Sequence, residues 1–326
     1  MKLALALSTL VLALLLASLS LGYAPLPLSA VLGGVLGNGD PLHVMVMQEI
    51  RLPRTALAAL VGAALGLSGA AMQGYLRNPL AEPGLIGVSG SAALGAVLAL
   101  QTGLSAAFAL ALPLMALLFA LGAVALILLL AGPRGGSLTL ILAGIAVSAL
   151  AGALTSLALN LSSNPYATFE IVFWMMGSVA DRSLSHLALA TPLVALGGAV
   201  LLTLGRGLDA LTLGEDGAQA LGVSMTALRL KLLFGTAAAV GAATAVAGAV
   251  GFVGLVVPHL LRPLCGARPS RLLWASALGG AAMLLAADIA VRLVLPERDL
   301  KLGVVMALIG APLFLHLIYK TRREMA

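Results

Sequence analysis

Ten apolar stretches that are long enough, or nearly long enough, to cross a lipid bilayer follow one another along the chain. A helix needs about 20 apolar residues to cross a hydrocarbon layer of ~30 Å. Because every backbone polar group must be satisfied internally there, the stretches predict helices and an all-α polytopic membrane protein. The third and eighth stretches are short or interrupted. The predicted spans are residues 3–22, 55–76, 84–101, 105–131, 137–160, 184–205, 230–250, 252–267, 272–294 and 302–319.

The scarcity of charged residues excludes the main soluble classes of protein. Of the 326 residues, 9% are charged and 61% are hydrophobic, whereas about 25% of the residues of a soluble domain are charged. The net charge of +6 does not indicate a nucleic-acid partner, because no basic stripe with interleaved aromatic residues is present. The single cysteine, Cys265, excludes an intrachain disulfide and a cysteine-ligated zinc or iron–sulfur site.

The distribution of lysine and arginine predicts how the spans are oriented. If the N-terminus is cytoplasmic and ten spans alternate, twelve of the 18 basic residues lie in cytoplasmic segments and six lie outside. This bias follows the positive-inside rule, and the even number of spans places both termini in the cytoplasm. The first stretch is longer than the apolar region of a signal peptide, which has about 7–15 residues. We therefore interpret it as a retained span.

An internal repeat relates two parts of the chain. Residues 61–80 and 240–259, at a constant offset of 179 residues, are identical at eight of twenty positions. They belong to the second and seventh predicted spans, which cross the membrane in opposite directions. Inverted repeats of this kind are typical of transporters, with the pathway at the repeat interface. The repeat halves are predicted at about 50–165 and 229–320 of a single transmembrane domain, residues 1–326.

Each repeated segment also contains a proline at the matching position, Pro79 in the first and Pro258 in the second. They are either ordinary loop prolines or breaks in helices. Non-helical backbone at membrane depth is tolerated only against protein or water. Their matching positions favour breaks that line a pathway or a gate.

One hydrophilic segment, at about residues 206–229, stands apart from the apolar stretches. Gly214 and Gly222 flank a short helical pattern within it. A loop of this length in a compact membrane protein is usually functional, and this one is predicted to dock a cytoplasmic partner. The sequence has no GxxxxGK[ST] motif, so ATP hydrolysis would require another subunit.

Four charged residues near the predicted outer surface need an explanation. Arg51, Arg54 and Arg292 either snorkel to the interface or form a basic rim that meets an acidic partner. Asp288 precedes Arg292 by four residues, so the two side chains share one helix face. The pair is predicted to anchor the helix end, and the alternative is that Asp288 carries protons.

Several motifs together resemble the FecCD-type permeases, the membrane subunits of ATP-binding cassette (ABC) importers for iron chelates, haem and cobalamin. The resemblance covers about residues 48–320, and its longest and most specific blocks are RNPLAEPG and GFVGLVVPH. The motifs are QEIRLPRTALAALVGAALGLSGAAMQGYLRNPLAEPGLIGVSG (48–90), FWMMGS (173–178), LGEDGAQALGV (213–223), GAVGFVGLVVPHLLR (248–262), ADIAVR (287–292) and LKLGVVMALIGAPLFLHLI (300–318).

The resemblance implies an ABC importer type II permease of about ten transmembrane helices, working as a homodimer in the bacterial inner membrane. Two cytoplasmic ATPase subunits would bind ATP and Mg, and a periplasmic substrate-binding protein would dock on the other side. The permease itself would be no enzyme and would hold no cofactor or metal. Which chelate it carries is left open among siderophore, haem and cobalamin complexes.

The resemblance also assigns roles to residues. It implies an inner constriction near residues 135–139, where Leu138 replaces the small hydroxyl residue of some members. Arg51, Arg54 and Arg292 match arginines that meet glutamates of the binding protein. The residues matching the ATPase coupling loop are Gly214, Glu215, Ala218, Leu221 and Gly222, and the pathway or gate candidates are Ser137, Leu138, Pro79, Pro258 and Asp288.

Two functions remain in competition at this point. The first is the ABC importer permease, which accounts for the long inner loop and the outer arginines. The second is an ion-coupled secondary transporter with Asp288 as carrier, which accounts for the inverted repeat equally well.

Overall fold

The computed structural model describes residues 2–22, 26–108, 110–132, 136–162, 165–294 and 300–325, and all regular structure in these ranges is helical. In chain order the helices are α1 (Lys2–Ser20), α2 (Leu28–Val35), α3 (Pro41–Met45), α4 (Leu52–Leu76), α5 (Val88–Gln101), α6 (Leu104–Ala107), α7 (Ala111–Ala131), α8 (Ser137–Asn160), α9 (Pro165–Met175), α10 (Leu184–Leu202), α11 (Gly205–Leu211), α12 (Glu215–Ala220), α13 (Met225–Ala247), α14 (Val253–Leu261), α15 (Pro269–Val294) and α16 (Leu302–Met325).

Seven described segments are long and apolar enough to cross a membrane, and α5 and the first part of α16 are shorter apolar helices. With α14, these elements account for the ten predicted spans. The predicted shortness of the third and eighth spans is confirmed, because α5 has 14 residues and α14 has 9. Nine residues of helix rise only about 14 Å, so α14 covers roughly half of a bilayer.

The helices α4 and α13, in which the two repeated segments begin, run in opposite directions, as predicted. Near the end of α4, Gly74 packs against Leu208 of α11, and a Cβ there would lie 3.2 Å from that side chain. The neighbouring Gly207 packs in the same way against Leu228, in the first turns of α13. The end of α4 and the start of α13 therefore lie at the same end of the bundle.

The break in the second repeated segment lies upstream of its predicted position. The chain leaves helix between Ala247 and Val253, where Gly248 has φ +72° and Phe252 has φ +66°. Pro258 lies inside α14 and is buried, so the prediction that Pro258 interrupts the helix is wrong. Pro79 does lie in a break, in the exposed turn that follows α4.

A side chain from α4 explains how α14 tolerates its proline. Proline has no N–H, so Pro258 cannot donate the helical hydrogen bond to the carbonyl of Gly254. The buried Gln73 amide donates to that carbonyl at 3.3 Å and to the carbonyl of Leu255 at 3.2 Å. Arg262 in turn donates to the Gln73 amide oxygen at 2.7 Å. Both carbonyls are therefore satisfied inside the protein, as an apolar environment requires.

Glycines on α4 allow backbone contact with two other helices. A Cβ on Gly62 or Gly66 would collide with carbonyl oxygens of α15, those of Gly280 and Ser276. A Cβ on Gly69 would collide with the backbone of α14. In a membrane, where lipid is as apolar as the side chains, this close packing is a main source of helix association.

The substitution Gly66→Ala is expected to lower the thermal unfolding midpoint of the purified protein in detergent, because the new methyl group must push α4 away from α15. Overpacking of this kind costs roughly 1–3 kcal/mol. The matched control is Gly122→Ala in α7, where a Cβ meets no atom within 4 Å. Equal midpoints for the two variants would contradict the proposed contact.

Candidate functional site

An ion cluster joins α4 to the end of α15. The Asp288 side chain is 1% exposed and lies between two guanidinium groups. Arg54 Nη2 lies 2.9 Å from Asp288 Oδ1, and Arg292 Nη2 lies 2.9 Å from Asp288 Oδ2. Arg54 Nε also donates to Asp288 Oδ1 at 2.9 Å. Both carboxylate oxygens are therefore engaged by charge-assisted hydrogen bonds.

Two arginines of the same region bind the end of α1. Arg292 donates to the carbonyl of Ser18 at 2.9 Å and to that of Leu21 at 3.1 Å. Arg51 donates to the carbonyls of Leu19 and Ser20 at 2.8 and 2.9 Å. The last carbonyls of a helix have no partner within it, and cations are favourable at this negative end. The arginines thus complete the hydrogen bonding of α1.

Arg51, Arg54, Asp288 and Arg292 are together called the outer cluster. The sequence analysis made a prediction for each of these residues. The predicted pair of Asp288 and Arg292 is confirmed. Arg51 and Arg292 are only 6% and 7% exposed, whereas the Arg54 side chain is 17% exposed. Docking of a binding protein by these arginines stays a prediction, and Arg54 is the most accessible of the three. Sequence reasoning missed the partnership of Arg54 with Asp288, which lies 234 residues away.

The inner loop folds as two short helices, α11 and α12, joined by a tight turn. Gly214 and Gly222, which flank α12, have φ of +97° and +82°, a region that favours glycine. Glu215 lies in the first turn of α12, where a carboxylate is favourable.

One face of the predicted coupling segment, Leu213–Val223, packs against the protein and the other is exposed. Ala218 is fully buried beneath α12. Leu213 and Leu221 are 71% and 64% exposed, which leaves apolar side chains at both ends of α12 facing outward. Exposed apolar residues gathered in this way are typical of a surface that binds another protein.

A carboxylate connects the inner loop to α15. Asp209 of α11 accepts a hydrogen bond from the backbone N–H of Ser270 at 2.8 Å and another from its hydroxyl at 2.6 Å. Ser270 lies in the first turn of α15, where backbone N–H groups have no helical acceptor. Asp209 therefore caps α15 from a different helix. Its 3.9 Å ion pair with Arg268 is partly exposed and contributes little. Sequence reasoning did not find the contact of Asp209 with Ser270, since these residues are 61 positions apart.

A second carboxylate connects the two breaks in the bundle. The Glu82 carboxylate accepts from the backbone N–H of Phe252 at 2.7 Å, directly before α14. Burial raises the pKa of Glu82, and the hydrogen bond from Phe252 opposes this effect. A cavity of about 200 Å³ lies between the breaks and is lined by Glu82, Gly84 and Gly251, among other residues.

The pathway candidates lie on separate elements. Leu138, near the start of α8, is 67% exposed, and the side chain of Ser137 lies outside the described residues, as do residues 133–135. Pro79 is exposed in the turn after α4, Pro258 is buried in α14, and Asp288 lies in the outer cluster. No hydrogen bond or ion pair between described residues joins these positions, and their role in a pathway stays a prediction.

Comparison with known proteins places the chain in a family of transporters. The sequence model of the FecCD transport family matches residues 10–320. The chain is 39% identical to the Fe(3+) dicitrate transport system permease protein FecD of Escherichia coli (strain K12), with 94% of each chain covered. It is 38% identical to the hemin transport system permease protein HmuU of Yersinia pestis, with 95% of each covered.

The fold is that of a solved transporter as well. The structure superposes with a TM-score of 0.87 on one described as an inward-facing conformation of a metal-chelate type ABC transporter. The two sequences are 37% identical, and the alignment covers 98% of this chain and 99% of the other. The all-helical architecture, the inner loop and the outer cluster thus belong to a membrane permease, and the chain is a member of the FecCD transport family of ABC importers.

Proposed function

We propose that this chain is the membrane permease of an importer for a metal chelate, an iron–siderophore complex or haem, with cobalamin as the third candidate. The named substrates of the relatives, ferric dicitrate and hemin, support this class of cargo. On this proposal the permease forms a homodimer in the bacterial inner membrane with both termini in the cytoplasm. It receives substrate from a periplasmic binding protein and is driven by two partner ATPases that bind ATP and Mg.

The observation that carries the proposal is the physical link from the inner loop to the outer cluster. Asp209 ties α11 to the first turn of α15, and α15 carries Asp288 and Arg292 near its other end. Backbone contact at Gly62 and Gly66 of α4 packs the middle of α15 closely against that helix. A movement of the coupling segment would therefore reach the surface where substrate is delivered. The permease would perform no chemistry of its own and would alternate between two packings of the same helices.

The alternative, an ion-coupled carrier that uses Asp288, is less well supported. A proton carrier must reach water and change its protonation during the cycle. The Asp288 carboxylate is 1% exposed and is held by Arg54 and Arg292. Both carboxylate oxygens are paired with these guanidinium groups, so the arrangement suits a structural ion pair.

Gentle solubilisation of native membranes is expected to recover a Walker-motif ATPase in equal amount with the tagged permease. Charge reversal in Glu215→Arg should reduce that recovery, because the substitution places a cation at the positive N-terminal end of α12. The matched control is Glu49→Arg, a charge reversal at an exposed residue outside the inner loop. A clean oligomer without ATPase, under conditions that preserve a control transporter, would refute the proposed function.

The substitution Asp209→Ala is expected to leave the ATPase bound but to lower the amount of substrate transported per ATP by about tenfold. Asp209→Ala removes two charge-assisted hydrogen bonds, and a loss of ~1.5 kcal/mol, the low end for one such bond, already corresponds to about a tenfold effect. The measurement is paired uptake and phosphate release in proteoliposomes. Asp209→Asn, which keeps an acceptor for the Ser270 N–H, should retain most of the coupling. Full coupling in Asp209→Ala would show that the loop acts on the bundle by another route.

The substitution Asp288→Asn separates the two candidate functions. Uptake should remain dependent on ATP and unaffected by a protonophore, while the thermal unfolding midpoint falls. The fall is expected because removing one partner of a buried pair costs roughly 3–5 kcal/mol. Glu49→Gln, which neutralises an exposed carboxylate, controls for the loss of charge. Normal stability combined with abolished uptake would instead support Asp288 as a carrier.

A further inference from the structure

A cavity of about 560 Å³ opens at the end of the bundle where α1 and α15 begin. It is separate from the coupling segment, the outer cluster and the two helix breaks. The short 3₁₀ turn Pro263–Cys265 contributes part of its wall. The lining residues are Lys2, Leu3, Leu264, Cys265, Arg271 and Trp274.

The charged side chains of this cavity are both cations. Lys2 and Arg271 are exposed, and none of the ion pairs between described residues involves either of them. Among the residues that the structure describes, no acidic side chain lines the cavity. Both α1 and α15 begin beside it, and the N-terminal end of a helix carries a partial positive charge. The electrostatic complement of this site is an anion.

The remaining wall of the cavity is apolar. Leu264 is 66% exposed, and Leu3 and Trp274 are half-buried. Tryptophan is enriched at the level of the lipid headgroups, where one part of the ring is dry and the other is wet. A small soluble anion makes no use of such a wall, whereas a lipid places its phosphate beside the cations and its chains beside Leu3 and Leu264.

We propose that this cavity binds an anionic phospholipid, with Lys2 and Arg271 on the phosphate and Leu3, Leu264 and Trp274 against the glycerol and the first part of the acyl chains. Basic pockets between transmembrane helices are known to take anionic headgroups. On the topology proposed above, the lipid belongs to the cytoplasmic leaflet. The site depends on neither the identity of the chelate nor the presence of an ATPase.

Trp274 supplies the probe for a direct test. The chain has two tryptophans, so the full-length Trp174→Phe variant reports on Trp274 alone. Its fluorescence is measured in nanodiscs of phosphatidylcholine that contain an equal fraction of either brominated phosphatidylglycerol or brominated phosphatidylcholine. We expect stronger quenching by the anionic lipid. The preference of the site for the anionic over the neutral lipid should fall roughly fivefold in Lys2→Gln and again in Arg271→Gln, since each variant removes one charge.

Two further variants make the test specific. Arg271→Lys keeps the charge and should keep the preference. Arg206→Gln removes an exposed basic residue of α11 that does not line the cavity, and it should leave the preference unchanged. Equal quenching by the two lipids, or a preference that survives the combined loss of Lys2 and Arg271, would overturn the proposal.

Competition experiments distinguish the possible sources of the anion. If the ligand is a lipid, inorganic phosphate at millimolar concentration should not abolish the stronger quenching by the anionic lipid. Loss of that difference in the presence of phosphate would assign the site to a free phosphate instead. The measurement is repeated on the permease with its ATPase bound. Loss of the preference in that complex would mean that a protein surface covers the cavity, which would also overturn the lipid assignment.

Discussion

Backbone contact along α4 is the constraint on which the rest of the bundle depends. Between helices in a bilayer there is little hydrophobic driving force, so close packing and hydrogen bonds decide which helices associate. On α4, Gly62 and Gly66 admit the backbone of α15, and Gly69 admits that of α14. These three helices therefore form one closely packed unit. The contact of Asp209 with Ser270 and the outer cluster are both attached to this unit.

Several polar side chains of the bundle serve backbone groups that the helices leave unsatisfied. Gln73 replaces a hydrogen bond that Pro258 cannot make, and Glu82 accepts from the N–H before α14. Arg51 and Arg292 bind the last carbonyls of α1. Each unpaired group in an apolar environment costs several kcal/mol. This explains how a chain with 9% charged residues can contain broken helices.

The parts of the fold that follow from local pattern could be predicted from the sequence. Length and apolarity identify the spans, and the spacing of Asp288 and Arg292 identifies their pair on one helix face. The break at residues 248–252 could not be predicted, because its glycines resemble the many packing glycines of the neighbouring helices. The prolines instead favoured a break further along the chain, at Pro258.

The contacts of Arg54 with Asp288 and of Asp209 with Ser270 could not be predicted either, since they join residues 234 and 61 positions apart. The predicted roles of the gate and docking residues depend on partner chains and on a second conformation. Neither of these leaves a pattern that one sequence can reveal without the family resemblance.

The helix α15 is long enough to connect the inner loop to the outer cluster, as the proposed coupling requires. Its 26 residues rise about 39 Å, more than the ~30 Å hydrocarbon layer, and its two polar joints, at Ser270 and at Asp288 with Arg292, lie near its opposite ends. Asp209 holds the first turn, and Asp288 lies near the last. Glycine contacts with α4 leave no room for α15 to bend toward it, so we expect α15 to tilt or slide as a unit. The helix α1 has few buried residues of its own and is bound at its end by Arg292, so it follows the same movement. A displacement of a few ångströms at the inner loop would thus reposition the outer cluster without any rearrangement in the middle of the membrane.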